Sequence, residues 1–181
     1  MASDPKIDRA AIAADLERAR VEFHRLLAEA TRHDTWTKPT RGTRWTNEQL
    51  LFHMVFGYMI VQRLLVLVKM FGWLPHQASR VFARGLTAAT GPFDAINYYG
   101  SCAAALVYNR RRMGTKMDRV IAALQHRAGH ESDESLHRGM HFPTRWDPFF
   151  KDYMTLADVY RYPGEHFEFH AGQLTLNVTH D

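Results

Sequence analysis

The chain has 181 residues, 46% of them hydrophobic and 23% charged, with a formal net charge of +4. This fits one globular domain over residues 1–181 that is long enough to bury a real core, and excludes a disordered or collagen-like chain. A single cysteine, Cys102, excludes an internal disulfide framework and fits a reducing, cytoplasmic compartment.

Residues 1–6 are polar and carry no signal-peptide core. A first helix is expected over 7–33, where Ile12, Leu16, Ala19, Phe23, Leu26 and Leu27 recur at helical spacing. Residues 34–42 connect it to the next, with Pro39 and Gly42 as breakers. Thr46 with Gln49 forms a capping box that opens a second helix, and Trp45 and Leu50 occupy the staple positions. That helix is expected to reach Phe71 and stop at Gly72 and Pro75. It is apolar enough to suggest a membrane span. His53, Gln62, Arg63 and Lys69 within it favour a buried bundle helix instead, because a mid-span Arg costs ~2.5–3.5 kcal/mol.

Residues 72–96 read as a long connection with a short helix opening at Pro75. A third helix is expected over 97–125, with Leu106, Val107, Met113, Met117, Val120, Ile121 and Leu124 inward. Cys102 lies in this pattern and reads as a buried, inert thiol. Arg110, Arg111, Arg112, Lys116 and Arg119 read as one solvated face of the same helix. No zinc-finger spacing, RNP motif or P-loop accompanies them, so nucleic acid is not the expected partner.

A second long connection, 129–153, leads to a last helix. Thr155 and Asp158 cap it, Pro163 and Gly164 should kink or interrupt it, and it should run to about Val178. Four long helical patterns without a credible strand predict an all-α, four-helix bundle with long crossover connections.

The 11 histidines include three H-x-x-x-H pairs, so the spacing says little by itself. His126/His130 falls where a helix ends and reads as a solvated cap. His137/His141 falls in a polar loop and reads as solvated, with a loop site of His130, His137 and His141 as the lesser alternative. His166/His170 differs. At about 100° per residue, His166, His170, Gln173 and Asn177 form one stripe. Phe167, Ala171, Leu174 and Val178 flank it on one side, and Phe169 and Leu176 on the other. Glu168 and Thr175 then face water. His53 points inward by the same reasoning, in a stripe with Gly57, Ile60 and Leu64, while Gln62 and Lys69 lie opposite. Buried polar groups need partners, and three inward imidazoles predict a divalent metal on His53, His166 and His170. Neutral imidazoles suit Zn, Ni, Fe or Cu, and three ligands leave a coordination position open. Gln49, Gly57 and Gln173 are candidates to line the pocket. Glu168 points outward and Glu165 is ambiguous, so the residues name no general base.

Trp45-Thr46, Leu50-Leu51-Phe52-His53, 142–150 with 154–158, and His166-x-x-x-His170 followed by Gln173-Leu174 resemble the DinB-like superfamily over nearly the whole chain. The resemblance implies a four-helix bundle with a crossover, often a homodimer, holding one divalent metal (Zn, Ni or Fe) on His53, His166 and His170. It also implies a small-molecule substrate and a low-molecular-weight thiol as co-substrate, in S-transfer, isomerisation or hydrolysis. A non-catalytic, stress-associated metal-binding bundle is the alternative. Pro163-Gly164 and the long 72–96 connection depart from the family pattern.

Overall fold

The structure, a computed structural model, describes residues 7–176. It is mostly helical and belongs to the all-α class, with seven helices and one two-stranded sheet among the described residues. Helix α1 (Arg9–Arg32) opens at Asp8, whose carboxylate accepts from the Ala10 and Ala11 N–H groups. Its buried face carries Ile12, Leu16, Ala19, Phe23, Leu26 and Ala30 at the expected spacing. Helix α2 (Asn47–Phe71) has both bonds of its capping box: the Thr46 side chain accepts from Gln49 N–H, and Gln49 Oε1 accepts from Thr46 N–H. By length and composition α2 alone among the described residues could cross a membrane. However, 56% of its most apolar window is already buried inside the protein, so much of that surface has a partner.

The middle of the chain departs from expectation. The helix expected to open at Pro75 is present as α3 (His76–Ala88), with Pro75 at its N-cap, but α4 (Thr90–Val107) also begins within the expected 72–96 connection. The expected third helix is two helices, because α4 stops at Tyr108 and α5 (Met113–His130) begins anew. At Tyr108 the backbone leaves the helical region (φ −98°, ψ 58°). Its ring stacks on Phe52 at 5.7 Å, and the Asn109 side chain accepts from Arg111 N–H, a local turn that competes with the helix. The break resets the register. Met113, Met117, Val120, Ile121 and Leu124 are buried as expected, but Leu106 and Val107 are exposed. Arg110, Arg111 and Arg112 are exposed in the turn rather than along a helix face.

The second connection holds α6 (Asp133–His137) and two short strands that the sequence pattern did not disclose, β1 (Gly139–His141) and β2 (Tyr153–Thr155). They pair antiparallel with Met140 opposite Met154. Three-residue strands are too short to show a period. A Cβ at Gly139 would lie 2.5 Å from Met154 O, so only glycine permits this approach.

Helix α7 (Leu156–Ala171) opens with the expected Thr155/Asp158 capping box. It continues through Pro163 and Gly164, so the interruption expected there as one outcome does not occur. That proline forfeits a single N–H, and its ring is buried against the core. The helix also ends early. Beyond Ala171 the chain turns and spends its polar groups on α2. Thr175 N–H donates to Asn47 Oδ1 (3.0 Å), Asn47 Nδ2 donates to Thr35 O (2.7 Å) and Thr175 O (3.1 Å), and Arg41 N–H donates to Gln173 O (2.8 Å). Thr175 is therefore half-buried and bonded, not turned to water. Residues 1–6, Asn177 and Val178 lie outside the described residues.

Helix α1 packs on α5 and α7, and α2 packs on α5 and α7, so these four close a ring of contacts around one core. Helix α4 packs on α2, and α3 lies against β1.

Candidate metal centre

Helix α2 contributes His53 and helix α7 contributes His166 and His170. The packing of α2 on α7 brings all three together, buried, with one ligand nitrogen from each lying within 4.8 Å of the others. Ring centroids are 5.1 Å apart for His53–His166, 4.9 Å for His53–His170 and 4.5 Å for His166–His170. Among the described residues no other group of histidine, cysteine or carboxylate side chains meets in this way. The loop alternative is not assembled. His126 and His130 are exposed, and His137 is half-buried with Nδ1 2.8 Å from Asp133 O. His141 corrects the expectation of a solvated loop histidine: it is buried on β1, with Nδ1 3.2 Å from Asp152 Oδ2 and Nε2 facing Arg80.

The surroundings orient the imidazoles. His170 Nδ1 lies 2.7 Å from Gln173 Oε1, an acceptor, so Nδ1 carries the proton and the Nε2 lone pair is free. Gln173 does this from the turn after α7 rather than from the helical stripe in which it was expected. His53 Nδ1 lies 3.2 Å from the Ser101 hydroxyl, which is buried on α4. The Nε2 atoms of His53 and His170 make no hydrogen bond among the described residues. Trp45 stacks on His53 at 4.4 Å, beyond the staple role read from its position, and Tyr98 stacks on Trp45 at 5.9 Å. Gly57 lies one turn below His53, and a Cβ there would sit 3.2 Å from His166 Nδ1. Gln49 is occupied by the helix cap and does not line the site's cavity. Glu168 is exposed as expected, and Glu165 is exposed as well. Phe169, expected to flank the inward stripe, is half exposed. Cys102 is half-buried rather than buried.

Ser101 and a carboxylate escaped the sequence reading. Asp147, in the loop between the strands, places Oδ2 3.6 Å from His166 Nε2 and 2.7 Å from the Tyr162 hydroxyl, which donates to it. A carboxylate within the aromatic segment 142–150 was the available signal, because solvated loops seldom surround an acid with rings. Burial raises the Asp147 carboxyl above its ordinary range, while the Phe149 N–H and the Tyr162 hydroxyl partly oppose the shift. Burial also holds the histidines neutral. The pKa of His53 falls to about 3, His166 falls well below the usual value, and His170 is lowered. Three neutral imidazoles with ligand nitrogens within 4.8 Å of one another form a donor set that fits a divalent transition-metal ion, and the Asp147 carboxylate lies beside them. No protein-family model, curated protein or solved structure matches the chain.

Proposed function

We propose that the protein is a metal-dependent enzyme of the transferase, isomerase or hydrolase type, with one divalent ion held by His53, His166 and His170. The observation that carries this reading is the convergence of three buried imidazoles contributed by two helices. A bound ion would supply Lewis acidity, lowering the pKa of a water or thiol or polarising a carbonyl. The chain's own groups supply the rest. Gln173 and Ser101 hold two imidazoles in orientation, and Asp147 is placed to accept a proton beside His166. The motifs quoted above and the ring of α1, α5, α2 and α7 support a four-helix bundle with crossovers of the DinB-like kind. A low-molecular-weight thiol as co-substrate, a homodimeric state and a cytoplasmic location complete the proposal.

Metal analysis of purified wild type, His53→Ala and His170→Ala is the test. Near-stoichiometric metal in the wild type and its loss in both variants is the expected result, and unchanged metal in both sinks the reading. The proximity of Asp147 to His166 favours a second reading, a non-catalytic site closed by Asp147 as fourth ligand. In that case Asp147→Asn lowers metal affinity as strongly as a histidine substitution does, whereas a proton acceptor can be changed with the metal retained.

A further inference from the structure

A cavity of about 240 Å³ adjoins the histidine cluster, with His53, His166 and Asp147 among its lining residues. Helices α2, α3 and α4 and the chain leaving β1 bring six aromatic side chains to its wall: Phe56, Phe82, Phe93, Phe142, Trp146 and Phe150. These rings are locked in place. The Trp146 indole N–H donates to Leu86 O (2.8 Å) while the ring stacks on Phe93 at 3.9 Å. Phe150 packs against both Phe142 (5.2 Å) and Tyr162 (4.8 Å). The pleat of β1 turns Met140 and Phe142 toward the cavity, and His141 between them goes to Asp152 instead.

Polar lining groups are few: Asn97 and Tyr162 join His53, His166 and two charged residues. Asp147 and Arg63 are the two lining residues with a formal charge, and Arg63 is the one that is exposed. It follows His53 by ten residues on α2, about 15 Å along the axis. The space would hold about eight waters at ~30 Å³ each. Walls of carbon give such waters too few partners, so an apolar group that displaces them is favoured.

We propose that this cavity binds the body of a compact, uncharged aromatic substrate, whose reacting polar group faces His53, His166 and Asp147. The inference rests on the metal-centre reading and narrows it. A polyhydroxylated or multiply charged molecule would leave its polar groups unpaired against the aromatic wall, at a desolvation cost.

Calorimetric titration tests this with 2-phenylethanol as probe and xylitol as the polar control. Metal-loaded and chelator-treated wild type are compared with Ile60→Trp, which fills the cavity from α2 about two turns beyond His53, and with the milder Leu64→Phe. Metal content is measured separately for each protein. The expected result is 2-phenylethanol binding with a dissociation constant on the order of 0.1–1 mM, no xylitol binding, and a loss of about tenfold or more in the filled variants at unchanged metal content. Absence of 2-phenylethanol binding to folded, metal-loaded wild type overturns the inference, as does equal binding of xylitol or unaltered binding by both filled variants. Probe binding by a protein that never retains metal would leave the cavity assignment standing and remove the metal reading.

Discussion

Replacement of Gly57 by alanine probes the histidine cluster through a single methyl group. The added Cβ would lie 3.2 Å from His166 Nδ1 and 3.3 Å from Cε1, whereas carbon contacts are optimal at about 3.5–4.0 Å. His166 must therefore retreat by about 0.3 Å. It cannot swing freely, because His53, His170 and Tyr162 crowd its ring at 5.1, 4.5 and 5.9 Å between centroids. Metal–ligand distances tolerate about ±0.2 Å, so the retreat falls on metal affinity, with an expected loss of roughly 10–100-fold. The metal-free fold should lose only ~0–2 kcal/mol, since an overpacking cost of ~1–3 kcal/mol is partly offset by ~1 kcal/mol of helix propensity. Competition with a chromophoric chelator reads the affinity, and urea unfolding of the metal-free protein reads the fold. Gly164→Ala is the control. It is also in a helix, but a Cβ there meets nothing within 4 Å, so it should stabilise without altering affinity. Metal affinity within about threefold of wild type in Gly57→Ala would refute the steric reasoning.

Three further outcomes are expected. Asn47→Ala leaves Thr35 O and Thr175 N–H and O without their buried partner and should destabilise by ~2–4 kcal/mol; an unmoved urea midpoint would show that the tie between α2 and the chain after α7 is dispensable. Chelation of the metal-loaded protein should lower Tm by ~8–16 °C if the ion was present at about a thousand times its Kd, and identical melts with and without chelator would contradict a folded-state site. The metal-free protein should lose stability in mild acid. Its buried histidines have folded-state pKa values below the unfolded value, with His53 at about 3, so only the unfolded chain takes up protons as pH falls below about 6.5. Stability is then complete above about pH 6.5 and falls toward pH 3 by up to ~1.4 kcal/mol per pH unit for each such histidine. Chemical denaturation of chelated protein across that range checks it, and a flat profile would mean the imidazoles are solvated.

Elements written in local chemistry were legible in the sequence. The spacing in 9–32 and the Thr46/Gln49 and Thr155/Asp158 boxes reappear in the structure because caps and amphipathic faces depend on residues three or four apart. The inward direction of His53, His166 and His170 was legible for the same reason, since angular position on a helix is set by number alone. Tertiary contacts decided the remainder. Pro163 stays helical and the chain turns after Ala171 because neighbours bury the one and hydrogen-bond the other. The break at Tyr108 follows from a ring stacked on Phe52, 56 residues earlier in sequence. Asp147 reaches the histidines only because the loop between two three-residue strands folds over α7 at Tyr162 and His166, and the aromatic cavity exists only where α2, α3, α4, α7 and that loop meet. Sequence periodicity records which way a side chain leaves its own helix; what it meets on the far side depends on how separate elements pack, and no local pattern encodes that.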